Sequence, residues 1–197
     1  MSKQITQQCT AFKGHRCIAS GELIEVARKV KEVIDRGEKE PILIFDDSDS
    51  EIVEIDFRGS VEDVVAKLET PASEAKPAEK AETPRGPGRP KLGVVSREVT
   101  LLPRHWDWLN SQPGGASVTL RKLVEEARRV NSGRDTVRRA QEVTYRFMHA
   151  MAGDLPGFEE ATRALYARDR ERFNGLIAPW PPDIREHVQK LSPDVWK

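Results

Sequence analysis

The chain has 197 residues, 38 % of them hydrophobic and 32 % charged, which suits one or two small globular domains with modest cores plus linkers. Thirty-two basic residues balance 32 acidic ones. Met1 to Gln8 is polar and no apolar run approaches the roughly 18 residues of a membrane-spanning helix, so a cytoplasmic protein is expected, with neither a secretory leader nor a membrane partner.

The zero net charge conceals an asymmetry. Residues 1–84 carry 12 basic against 18 acidic side chains, 85–146 carry 13 against 6, and 147–197 carry 7 against 8. A basic middle between acidic and neutral ends is expected where one module meets a polyanion and the others do not. With four Trp, two Tyr and six Phe to bury, self-association is a natural way to enlarge apolar contact.

In chain order, Thr10 to Phe12 and Arg16 to Ser20 bracket Lys13-Gly14-His15 and predict a hairpin, with Cys9 and Cys17 as small core residues. Neither cysteine has a Cys or His partner at metal-ligand spacing, so no disulfide framework and no metal site are expected. Ser20 is expected to cap a helix. Its Leu23, Val26, Ala27, Val30, Val33 and Ile34 recur at three and four, and Gly37 stops it. Ile42 to Phe45 and Ile52 to Phe57 predict a second hairpin around Asp46, Asp47, Asp49 and Glu51. That acidic turn reads as a solvated tip, because it lacks the Gly and the closing Glu of a calcium loop. Gly59-Ser60 caps a helix from Val61 to Leu68. The order ββαββα makes residues 1–68 a small acidic α+β domain.

From Glu69 to Ala81 almost nothing can be buried, and 69–95 is expected to be a disordered linker. Within it, Arg85-Gly-Pro-Gly88-Arg89-Pro90-Lys91 resembles an AT-hook, in which Gly-Arg-Pro lies between basic residues. The residue types suit a narrow A·T-rich minor groove. Gly sits against its floor, Pro keeps the chain extended, and Arg enters the strongly negative potential. The resemblance implies that Arg85, Gly88, Arg89, Pro90 and Lys91 contact double-stranded DNA.

Next come a strand over Arg97 to Leu102, a helix from Pro103 to about Ser111, a stop at Pro113-Gly-Gly115, and a second helix capped by Ser117 or Thr119 that runs to Val130 with Leu120, Leu123, Val124 and Ala127 on one stripe. This module, 96–131, resembles the ribbon-helix-helix family of bacterial repressors. The resemblance implies a homodimer paired through 97–102, and a DNA phosphate held at the start of the second helix by small residues up to Ser117. Of the base-reading positions it assigns, Arg97, Val99 and Leu101, only Arg97 carries donors. Phosphate-dominated, weakly selective binding through Arg97, Arg104, Arg121 and Lys122 is therefore expected.

Residues 132–197 predict a helical bundle. Arg134 to Ala152 has Val137, Ala140, Val143 or Thr144, Phe147 and Met151 on one stripe, and helices over 158–166, 169–177 and 183–191 follow, with Trp180 and Trp196 anchoring the tail. Taken whole, the chain resembles a bacterial family described only as a domain of unknown function. The signature is the acidic α+β unit, the Pro/Ala linker, Gly88-Arg-Pro-Lys-Leu-Gly93, Arg97 to Trp108, and Ala152-Gly-Asp-Leu-Pro-Gly-Phe158.

The four histidines, His15, His105, His149 and His187, stand in separate units, and no nucleophile elbow, phosphate loop or dinucleotide fingerprint occurs. No enzymatic activity, cofactor or small-molecule substrate is expected. Two functions remain: a DNA-binding regulator or nucleoid-associated architectural protein, and a protein-interaction adaptor whose basic linker is only a spacer.

Overall fold

The computed structural model describes residues 7–38, 40–69 and 95–197. They fall into two compact units, one combining those up to Glu69 with Ser132–Lys197, the other comprising 95–131. The fold is α+β.

The first unit is built on an antiparallel sheet of β1 (Gln8–Lys13), β2 (Arg16–Glu22) and β3 (Ile42–Asp46), in the order β2-β1-β3. Strand alternation explains why β1 can be central. Cys9 and Ala11 point to one face with Ile44, and meet Leu23, Val26 and Val30 of helix α1 (Leu23–Asp35). Phe12 and Phe45 belong to the opposite core and pack with Phe147, Met148, Trp180 and Ile184 of the C-terminal helices. The sheet is thus covered on both faces. Residues 1–68 and 132–197, which read as separate domains, share one hydrophobic core and one compact unit.

Two local expectations change. Ser20 does not cap α1: it lies in β2 opposite Thr10, with the two hydroxyl oxygens 3.2 Å apart, and the helix starts at Leu23 behind an N-cap Glu22 that makes no side-chain cap. The second hairpin is reduced to one bridge, Phe45 with Ile52, and the Val53 N–H donates to the Ile44 carbonyl at 2.8 Å. The chain then leaves the sheet, and beyond it Asp56 accepts from Arg58 Nε at 2.8 Å and Lys67 Nζ at 2.9 Å. Val53, Ile55 and Phe57 still pack on the α1 core. Helix α2 (Val61–Glu69) is capped reciprocally: the Ser60 N–H donates to Asp63 Oδ2 at 2.8 Å, and the Asp63 N–H donates to Ser60 Oγ at 3.2 Å.

Helix α3 (Pro103–Ser111) matches its expected limits. Helix α4 (Gly115–Ala152) does not, for it continues through Asn131-Ser132-Gly133, where the sequence pattern divides two helices. The polar residues there are absorbed by the helix itself. Asn131 Nδ2 donates to the Ala127 carbonyl at 2.8 Å, and Thr136 Oγ1 donates to the Ser132 carbonyl at 2.9 Å. One glycine costs a helix only about 1 kcal/mol relative to Ala. Helices α5 (Phe158–Ala167), α6 (Arg170–Ile177) and α7 (Pro182–Leu191), then a 3-10 turn (Pro193–Trp196), complete the first unit. Trp180 is buried and donates Nε1–H to the Pro156 carbonyl at 2.9 Å, while Trp196 packs on Phe173 with ring centres 5.3 Å apart.

Candidate nucleic-acid interface

In the second unit, residues 95–102 are not a strand. Among the described residues, nothing pairs with the backbone of 95–101, and a strand exists only beside a neighbour that completes its ladder. Pro103 takes the first helical position of α3, where a missing N–H costs nothing, and the His105 N–H donates to the Leu102 carbonyl at 2.8 Å. Gly114 and Gly115, at φ 90° and 73°, turn the chain into α4. Only glycine fits at Gly114, since a Cβ there would also lie 3.2 Å from Val118.

This turn starts α4 at Gly115, two residues before the expected cap, so Ser117 occupies its first turn as an exposed residue. Neither α3 nor α4 has an acidic side chain in its first turn, whereas α1, α2, α5, α6 and α7 each have at least one. The positive ends of α3 and α4 are therefore not offset by a carboxylate of their own.

Arg97 lies on the extended segment, Arg104 in the first turn of α3, and Arg121 and Lys122 in the second turn of α4. All four are exposed, and among the described residues none forms an ion pair or side-chain hydrogen bond. Arg128, further along α4, is held by Glu125 at 3.3 Å. Arg85, Gly88, Arg89, Pro90 and Lys91 lie outside the described residues.

The order of these segments, from β1 to the end of α7, is shared by a bacterial family. The family described as "Uncharacterized protein conserved in bacteria (DUF2239)" matches residues 8–192. The chain belongs to that family. No curated protein and no solved structure matches it. The DUF2239 match takes in both units, so the sheet, the basic segment and the helices are parts of one family architecture.

The first unit carries a second polar feature, which is invisible along the sequence because its parts are scattered. A cleft of about 410 Å³ is lined by Asp47 and Ser48 after β3, Thr136 and Arg139 of α4, Lys190 of α7, and Asp194. The acidic turn is not a solvated tip. Asp47 accepts from Thr10 Oγ1 at 2.7 Å and from Lys190 Nζ at 2.6 Å, Arg146 donates to the Asp49 carbonyl, and its guanidinium lies 3.6 Å from Glu51. The Asp47 and Glu51 carboxylates and the Asp49 carbonyl dock the sheet on the helices. No group of three or more Asp, Glu, His or Cys among the described residues could hold a metal ion.

His187, one turn before Lys190, is 5 % exposed. It packs on Phe147 with ring centres 4.4 Å apart and on Phe12 at 5.3 Å, and its Nε2 has no hydrogen-bond partner among the described residues. Burial lowers its pKa to about 4, with Asp47 opposing the shift and Lys190 adding to it. Burial and the neighbouring carboxylates Asp46, Asp47 and Asp49 push the Cys9 thiol up to about 12. Both groups are held neutral, as core residues are. No helix among the described residues is long and apolar enough to cross a membrane.

Proposed function

We propose that this protein binds double-stranded DNA through its basic middle, as a regulator or nucleoid-associated architectural protein with weak sequence selectivity. The observation that carries the reading is that Arg97, Arg104, Arg121 and Lys122 are exposed and unmatched by any carboxylate among the described residues. Cations held by intramolecular acids would have little to offer a phosphate. Unmatched ones release counterions from DNA when they dock. The uncompensated positive ends of α3 and α4 favour the same partner. Arg85, Arg89 and Lys91, in their Gly/Pro setting, supply the minor-groove arm.

The test is a gel-shift series on A·T-rich and G·C-rich duplexes at two salt concentrations. Affinity should fall steeply with salt. Arg121→Ala with Lys122→Ala should weaken binding on every duplex and lower the salt slope by about one for each phosphate that is no longer neutralised. Arg85→Ala with Arg89→Ala should narrow the preference for A·T-rich DNA. Equal indifference of wild type and both double variants to duplex DNA would sink the reading in favour of a protein-interaction adaptor.

A further inference from the structure

The cleft of the first unit lies where three distant parts of the chain meet: the turn after β3, the C-terminal half of α4, and the end of α7 with the 3-10 turn that follows. Its volume of about 410 Å³ falls within the roughly 300–1,000 Å³ of small-molecule sites. None of Arg97, Arg104, Arg121 and Lys122 lines it, so it stands apart from the cations of the DNA-binding reading.

Four charged side chains line this cleft, and three of them are matched. Lys190 reaches across 143 positions of sequence to Asp47 at 2.6 Å, although Glu186 stands four residues before it in the arrangement that favours a helical ion pair. Asp194 is paired with Lys197. Arg139 is the exception. Asp135 lies four residues before it and Glu142 three after, yet Asp135 is taken by Arg138 at 2.8 Å, and the Arg139 guanidinium forms no ion pair or hydrogen bond among the described residues. The cleft is thus left with one positive charge that nothing in the first unit answers.

We propose that the cleft binds a small organic acid, with the carboxylate of the ligand on Arg139 and its apolar part against Val143 and Leu191. A guanidinium presents two parallel N–H donors that fit a carboxylate or a phosphate equally well, so geometry alone does not choose between them. Charge does. A phosphate monoester brings about −1.5 to −2 charges at pH 7, and the excess over one would face Asp47 and Asp194 on the same lining, whereas a carboxylate brings one. Ser48, whose hydroxyl has no hydrogen-bond partner among the described residues, adds a neutral donor. The apolar side chains of the lining, which a bare inorganic anion would leave uncovered, call for a ligand with a hydrocarbon part.

Saturation-transfer nuclear magnetic resonance of the full chain, without DNA, tests this with hexanoate, benzoate, hexanol, hexylammonium and hexyl phosphate at millimolar concentration. The two carboxylates should bind, the neutral and cationic probes should not, and hexanoate should move the amide resonances of Ser48, Arg139 and Lys190. Arg139→Gln should weaken the carboxylates about tenfold. Arg139→Glu should reverse the preference, taking hexylammonium over hexanoate, and because Arg139 is exposed both variants should keep the circular dichroism of the wild type. Failure of both carboxylates to bind the wild type, binding that survives Arg139→Gln undiminished, or hexyl phosphate binding more tightly than hexanoate would each overturn the proposal. Arg121→Ala with Lys122→Ala should leave hexanoate binding unchanged. A chain that takes hexanoate and ignores duplex DNA loses only the DNA reading, and one that binds duplex with a steep salt slope but ignores both carboxylates loses only this site.

Discussion

At the scale of the single residue, the least ordinary side chain is His187. It is neutral because the site between Phe12 and Phe147 offers its ring no water, and its Nε2 is left without a partner among the described residues. Its folded pKa of about 4 lies below the ordinary histidine value of 6.5, so the unfolded chain binds the proton more readily. Its contribution to stability is complete above pH 6.5 and is lost as pH falls through 4, on the order of 3 kcal/mol across that window. Urea midpoints measured at intervals from pH 7 to pH 4 should fall for the wild type. In His187→Phe, which keeps the aromatic packing and removes the titrating group, that part of the slope should disappear, and an unchanged slope would refute the assignment. Position mattered more than residue type here. The sequence shows four scattered histidines, and burial alone singles out this one.

At the scale of the element, α4 and the acidic turn are the two places where the outcome differs from the local pattern, the first through bonds within the helix and the second through contacts with distant residues. Gly133 lies within α4, and a Cβ there would meet nothing within 4 Å. Gly133→Ala should therefore raise helicity and stabilise α4 by up to about 1 kcal/mol, seen as a gain in ellipticity at 222 nm. A loss would mean that the helix breaks there, as the Asn-Ser-Gly pattern alone suggests. For the acidic turn, Asp47 is nearly buried and serves two donors, whereas Lys190 is half exposed. Asp47→Ala should cost about 1–3 kcal/mol by leaving Thr10 Oγ1 and the Lys190 ammonium without it, and Lys190→Ala should cost less than about 1 kcal/mol. Equal losses in a denaturant series would contradict this division of roles.

At the scale of the whole molecule, the sheet and the C-terminal helices depend on each other. Phe12 and Phe45 meet Phe147 with ring centres 5.3 Å and 5.1 Å apart, and the Cys17 N–H donates to Asp183 Oδ2 at 2.7 Å. A fragment of residues 1–72 should therefore remain poorly dispersed by nuclear magnetic resonance, and should gain native dispersion when mixed with residues 132–197. Independent folding of the first fragment would show that the shared core is dispensable.

The amino-acid sequence by itself determined the local structure: the first hairpin, the stripe of α1, the limits of α3 and the helical character of the C-terminal third. These depend on turn residues and on periods of two and 3.6, which operate over a few neighbours. It also marked the basic middle and its cations, because charge is a property of residue type. Only the tertiary structure decided that 1–68 and 132–197 share a core, that the strands order as β2-β1-β3, and that Asp47, Arg139 and Lys190 line one cleft. Each depends on contacts between residues far apart in the chain, where burial and pairing override the local preference that a sequence pattern records.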